Sequence, residues 1–152
     1  MAVTVFANLD ELQAAVGTHL GYSDWLQITQ ERIDLFADAT GDHQWIHVDP
    51  VRAAAGPFKT TIAHGYLTLA LSNWFLPQIV DVQGISMGIN YGVNKVRFPA
   101  PVPVGSRLRA GAELTAVDPV AGGVQATIVI TVEVDGGDKP ACVIESLSRY
   151  LA

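Results

Sequence analysis

The stretch ATGDHQWIHVDP (residues 39–50) places a carboxylate, Asp42, five residues before an imidazole, His47. A carboxylate accepts a proton, and a histidine gives or takes one near neutral pH. On one short segment the two side chains can hold a single water molecule between them, which is what adding water across a double bond requires. The alternative is a purely structural role, in which Asp42 only accepts hydrogen bonds from backbone amides of a turn and His47 stabilises the local structure. Spacing alone leaves both interpretations open.

A second stretch, TTIAHGYL (60–67), brings His64 and Gly65 to the start of a predicted apolar helix. Free N–H groups at a helix N-terminus stabilise negative charge. If the substrate is a thioester, its carbonyl oxygen becomes an enolate when water adds at the β-carbon, and the Gly65 amide could stabilise that charge. The alternative role for Gly65 is to let the chain turn into a closely packed helix, since glycine has no side chain.

Two short helices are predicted on either side of the Asp42–His47 segment. The first covers 28–41, with Thr29 as its N-cap and Gly41 at its end. The second starts with Asp49 as cap and Pro50 at the first helical position. We therefore expect Asp42 and His47 to lie in a loop held between two helices.

The remaining pattern predicts an α+β fold in which an antiparallel sheet packs on a helix. Residues 63–77 form a helix that is apolar on nearly every face and that Pro77 should end. Residues 1 to about 80 look mostly helical. Strands are predicted at 85–98, 106–117, 124–134 and from 141 onward, with a bulge at 94–95 and a hairpin turn at 135–138.

The composition limits the classes of protein. A chain of 152 residues fits one domain (1–152), and 49% hydrophobic against 16% charged residues indicates a subunit interface. A net charge of −6 without a basic cluster argues against nucleic acid as a partner. We see neither a signal peptide nor a run long enough to span a membrane. With Cys142 as the single cysteine, we expect a cytoplasmic protein.

Three ordered blocks resemble the MaoC-like dehydratases, the (R)-specific enoyl-CoA hydratases. FADATGDHQWIHVDPVRA (36–53) is similar to the hydratase signature of that family, an aromatic residue, Gly-Asp-x-Asn-Pro-aliphatic-His and Asp-Pro. IAHGYLTLAL and NKVRFPAPVPVGSRL resemble two later family blocks. The similarity runs from about residue 25 to the end. The chain departs from the signature at Gln44-Trp45, where the family has Asn-Pro, which affects the expected chain-length preference more than the reaction.

The resemblance implies a hot-dog fold, in which an antiparallel sheet wraps a long central apolar helix, and a homodimer joined edge to edge. It implies that Asp42 and His47 activate water and protonate Cα, and that the Gly65 amide binds the thioester oxygen. His64, Gln44 and Asn73 are further substrate-binding candidates; Asn73 takes the place of a small hydroxyl residue on the central helix. The implied reaction is reversible syn hydration of trans-2-enoyl-CoA to (3R)-hydroxyacyl-CoA in fatty acyl metabolism, with no cofactor.

Other functions stay open at this point. The same fold can act as an acyl-CoA thioesterase, which attacks the carbonyl and releases a thiol, or as a non-catalytic module that binds acyl thioesters. A metal site built from Asp42, His43, His47 and His64 is conceivable, but the resemblance implies none. Cys142 is expected mid-strand as a small buried hydrophobe rather than as a nucleophile. The sequence leaves the acyl chain length and the choice between CoA and acyl carrier protein undetermined.

Overall fold

The structure, a computed structural model, describes residues 2–152. Its helices are α1 Leu9–Ala14, α2 Gln30–Thr40, α3 Trp45–Val48, α4 Pro50–Ala54, α5 Gly65–Ala70 and α6 Ser72–Ile79. Its strands are β1 Thr4–Phe6, β2 Thr18–Tyr22, β3 Leu26–Gln27, β4 Val80–Val82, β5 Met87–Arg97, β6 Arg107–Val120, β7 Gly123–Val134 and β8 Cys142–Leu151. No helix among these has the length and apolar composition needed to cross a bilayer.

The main sheet is antiparallel and has the strand order β2-β6-β7-β8-β5, with β3 also paired to β6. Strands β1 and β4 form a separate parallel pair. Helix α5 packs on β8, and α6 packs on β6 and β2. The predicted α+β layer arrangement is therefore confirmed.

The prediction that residues 1 to about 80 are mostly helical was wrong in part. Strands β1, β2 and β3 lie in that region, and β2 completes one side of the main sheet through β6. These strands have two to five residues, too few to show a clear alternation. Their structure comes from pairing with β6 and β4, which are distant in sequence.

The predicted helix ends on either side of the site are confirmed. The Thr29 side chain accepts a hydrogen bond from the Arg32 amide at the start of α2, and Gly41 ends that helix with φ 84°, in the left-handed region. The Asp49 side chain caps α4 by accepting from the Arg52 amide, with Pro50 in the first turn. These caps fix where the intervening segment leaves one helix and enters the next.

The central helix differs from the prediction in two ways. It is divided at Leu71 into α5 and α6, although Leu71 itself keeps a right-handed helical backbone. Pro77 lies inside α6, which continues to Ile79. Phe75 and Ile79 are almost fully buried on either side of Pro77, so core packing outweighs the hydrogen bond that proline cannot donate.

Strand β5 forms the free edge of the main sheet, since β8 is its partner on one side and no described strand pairs with the other. Its register against β8 shifts between Val93 and Lys95, which confirms the predicted bulge, and again between Asn90 and Gly92. Each shift adds an unpaired residue and bends the strand. The edge strand is therefore irregular at two places.

Candidate active site

One cavity of about 500 Å³ contains most of the residues that the sequence singles out. This volume lies within the range typical of small-molecule sites. Four elements meet there, namely the ends of α2 and β5, helix α3 and the start of α5. We call it the catalytic cavity; its lining residues are Phe36, Thr40, Asp42, His47, His64, Gly65, Tyr66 and Phe98.

His47 is placed by helix α3 and not by a loop, which corrects the prediction for this side chain. Its ring is buried, and Nδ1 lies 2.7 Å from the Ile62 carbonyl oxygen. Because a carbonyl oxygen can only accept, Nδ1 carries the proton of the neutral ring. Nε2 is then the nitrogen left to accept a proton from a water molecule or a substrate.

His64 is the N-cap residue of α5 and packs face to face on His47, with ring centroids 3.9 Å apart and planes inclined by 22°. Its Nε2 donates to the Asp42 carbonyl oxygen at 3.0 Å. Among residues 2–152, its Nδ1 is the buried side-chain polar atom that has no hydrogen-bond partner. His64 thus fastens the Asp42 backbone to the helix that begins at Gly65.

Asp42 is exposed and directly follows the left-handed Gly41. Its Oδ1 accepts a hydrogen bond from the Gln44 amide at 3.2 Å. This is the turn role weighed from the sequence, and it does not exclude the chemical one. The bond orients the carboxylate, and no hydrogen-bond partner of Oδ2 lies within residues 2–152. Asp42 lines the cavity beside His47.

Gly65 opens α5, and no hydrogen bond within residues 2–152 uses its N–H. A Cβ placed on Gly65 would lie 3.3 Å from three atoms of the Phe98 ring. The absence of a side chain therefore keeps Phe98 close to the helix start. Both roles predicted for Gly65, close packing and an open amide, are compatible with this geometry.

Two of the predicted site residues do not line the catalytic cavity. Gln44 is exposed; its amide bonds to Asp42, and its carbonyl accepts from the His47 amide. Asn73 lies in the first turn of α6, where its Oδ1 accepts from Asn90 Nδ2 at 2.8 Å. Asn73 lines two other cavities, because it follows Gly65 by more than two helical turns.

Sequence reasoning named Phe36 as the aromatic residue of the signature but did not predict that aromatic side chains wall the cavity. Phe36, Tyr66 and Phe98 all line it, and Tyr66 is 72% exposed. Phe98 directly follows β5, within the block NKVRFPAPVPVGSRL that resembles the family. The available signal was the aromatic residue directly after His64–Gly65 and the one that closes the strand.

The three side chains Asp42, His47 and His64 offer ligand atoms that all lie within 4.8 Å of one another. The fourth candidate, His43, instead forms an ion pair with Asp38 at 2.8 Å and does not line the cavity. The hydrogen bond that His43 donates to the Asp38 carboxylate raises the pKa of His43 above its ordinary value. The expectation of a metal-free site stays a prediction.

Cys142 is fully buried, as predicted, but it is the first residue of β8 and not a mid-strand residue. Burial raises the pKa of its thiol to about 11. Because the thiolate is the nucleophilic form, this thiol is unsuited to covalent catalysis near neutral pH.

Comparison with known proteins decides the family. The sequence profile described as "MaoC like domain" matches residues 11–135. The chain belongs to the MaoC-like family. A Mycobacterium tuberculosis (strain H37Rv) protein named 3-hydroxyacyl-thioester dehydratase Z is 62% identical over 148 residues, covering 97% of this chain and 98% of the relative. This relative thus matches the MaoC-like chain over nearly its whole length.

Two solved structures share the MaoC-like architecture. The unliganded R-hydratase PhaJ1 from Pseudomonas aeruginosa superposes with a TM-score of 0.74 at 26% identity, covering 90% of this chain and 81% of that one. A monoamine oxidase regulatory protein from Archaeoglobus fulgidus gives a TM-score of 0.78 at 22% identity, covering 99% and 97%, and shows the fold alone. The predicted hot-dog fold and an enzyme of the hydro-lyase class are confirmed.

Replacing Gly65 by alanine separates stability from activity. A Cβ lies in ordinary helical backbone here, so we expect the free energy of unfolding to stay within about 1 kcal/mol. Because the Cβ presses on the Phe98 ring, kcat/KM for an enoyl thioester should fall by about tenfold or more. Thermal unfolding and initial rates on the same sample measure both. An unchanged kcat/KM would contradict a role for Gly65 in catalysis.

Proposed function

We propose that the chain catalyses the reversible hydration of trans-2-enoyl-CoA to (3R)-hydroxyacyl-CoA. In the reverse direction it dehydrates (3R)-hydroxyacyl-CoA. The observation that carries this proposal is the meeting of the Asp42 carboxylate, the free Nε2 of His47 and the Gly65 amide in one cavity. The 62% identical relative, named a 3-hydroxyacyl-thioester dehydratase, supports it.

Each group has a defined task in this mechanism. Asp42 and His47 hold a water molecule; its oxygen bonds to the β-carbon of the enoyl thioester while its proton passes to the pair. The double-bond electrons move to the carbonyl oxygen, and the Gly65 amide stabilises the resulting enolate. The pair then delivers one proton to Cα from the same face, which gives syn addition.

The test follows two readouts with purified protein and crotonyl-CoA, namely the ultraviolet absorbance of the enoyl thioester and the release of free thiol. Hydration lowers the absorbance without releasing thiol. Thiol release would instead indicate a thioesterase, which attacks the carbonyl carbon. If neither signal changes with crotonyl-CoA or with longer enoyl-CoA substrates, the chain is a non-catalytic thioester-binding module.

We also propose that the chain forms a homodimer through the outer edge of β5. Apolar side chains stay exposed along this strand in the single chain: Met87, Ile89, Tyr91 and Val93. A long edge strand with exposed apolar residues favours pairing with another strand. Strand β5 of a second copy can be that strand, and the two copies are then related by a two-fold axis.

Light scattering after size-exclusion chromatography tests the dimer. The wild-type chain should elute with the mass of two copies, and Ile89→Lys should shift it toward one. Val51→Lys is the matched control, because Val51 is exposed on α4 and away from the β5 edge. A monomeric wild-type protein would contradict the proposal.

A further inference from the structure

A groove with both polar and apolar lining lies beside the catalytic cavity along the helix layer. Tyr66 lines both the catalytic cavity and a second cavity of about 340 Å³. That cavity shares four lining residues with a third of about 280 Å³, namely Ser72, Asn73, Asn90 and Ser146. We call these two cavities the distal groove; it lies between α6 and strands β5 and β8.

The sheet side of this groove breaks the apolar pattern of the core. In β8 the buried face begins with Cys142 and Ile144 and then carries Ser146 and Ser148. Ser146 and Ser148 pair in register with Ile128 and Ala126 of β7, which are fully buried. Hydroxyl groups on the inward face of such a strand are unfavourable unless they are hydrogen-bonded.

Several side-chain donors and acceptors that line the groove are free to bind a ligand. Asn90 Nδ2 donates to Asn73 Oδ1. Among residues 2–152, the side-chain Nδ2 of Asn73 and Oδ1 of Asn90 have no hydrogen-bond partner. No hydrogen bond of the Ser72 or Ser146 hydroxyl is found within residues 2–152. A ligand atom in the groove therefore meets both donors and acceptors.

Charge indicates which end of a thioester enters the groove. Asp81 lines its far end, where a carboxylate would repel the phosphates of CoA. A mainly apolar cavity shares Gly65 and Phe98 with the catalytic cavity. The exposed cations Lys59 and Arg97 are the sequence neighbours of its lining residues Phe58 and Phe98. This charge distribution favours a carrier on the Phe58 side and an acyl chain that extends toward Asn73.

We propose that the distal groove selects acyl chains that carry a hydroxyl or keto group well beyond the reacting double bond. This inference rests on the proposed hydratase function. Asn73 follows Gly65 by eight residues of helix, so the polar group would lie about 12 Å from the thioester. A short chain such as crotonyl does not reach the groove, and a purely apolar chain leaves its polar groups unpaired.

The experiment compares two enoyl-CoA substrates of equal length, one with an ω-hydroxyl group and one without. The wild-type ratio of kcat/KM should favour the hydroxylated chain by about tenfold, the discrimination that one net hydrogen bond supplies. Asn73→Leu should remove this preference. The matched control is Asn94→Leu, which loses a side-chain bond to Glu145 outside the groove and should keep the ratio.

Three results would overturn the inference. The first is a wild-type preference for the unsubstituted chain, and the second is a kcat/KM ratio that Asn73→Leu does not change. The third is that Asn73→Leu lowers kcat/KM equally for crotonyl-CoA and both long substrates, which would assign the groove to the carrier. Turnover of crotonyl-CoA reports the hydratase function separately. If crotonyl-CoA is not turned over, calorimetry can measure the affinities for a saturated acyl-CoA and an ω-hydroxyacyl-CoA of equal length. Their ratio reports the same preference for the hydroxylated chain without turnover.

Discussion

Asp42→Asn should lower kcat for enoyl-CoA hydration by about 10²- to 10⁴-fold, the usual contribution of one general acid–base group. The amide keeps an oxygen for the Gln44 N–H but cannot take a proton from water. Because Asp42 is exposed, the free energy of unfolding should change by less than about 0.5 kcal/mol. Initial rates by absorbance and thermal unfolding on the same sample measure both effects.

Asp38→Asn is the matched control for this variant. Asp38 is an exposed carboxylate four residues earlier on α2; it pairs with His43 and lies outside the catalytic cavity. The control should retain the wild-type rate. A kcat for Asp42→Asn within a few-fold of the control would leave Asp42 with its turn role only.

His47→Asn should cost a similar factor of about 10²- to 10⁴ in kcat. The asparagine amide can take the place of Nδ1 and donate to the Ile62 carbonyl, so the buried hydrogen bond is kept while the Nε2 position is removed. The smaller side chain loses contact with the His64 ring, so we expect a loss of about 1 kcal/mol in stability. Rates at saturating substrate and chemical denaturation measure the two effects.

His64→Gln tests whether the loss of kcat in His47→Asn comes from His47 alone or from the stacked rings of His47 and His64 together. The glutamine amide can replace Nε2 as donor to the Asp42 carbonyl, while the ring and its unpartnered Nδ1 disappear. If His64 acts by positioning Asp42, this variant should lose at most about tenfold. A loss as large as that of His47→Asn would make His64 a participant in proton transfer.

Much of the site could be predicted from local sequence. Thr29, Gly41 and Asp49 act through bonds and backbone angles within a few residues, so their signals are readable without tertiary structure. They determined where α2 ends and α4 begins, and hence that Asp42 and His47 lie close together. The ordered family blocks added the central helix and Gly65.

The tertiary structure decided what depends on distant contacts. Strands β1 to β3 are too short to be recognised alone and form because β4 and β6 pair with them. Pro77 stays inside α6 because the core holds the residues around it.

The same holds within the site. Asn73 bonds to Asn90 of β5 and does not line the cavity that holds His47, a contact between residues 17 apart in sequence. The candidate reacting groups could be named from the sequence, because they lie on two short segments with local signals. The folded chain alone decided which nitrogen of His47 is free and which aromatic walls enclose it, because the Ile62 carbonyl, His64 and Phe98 reach it only through long-range packing.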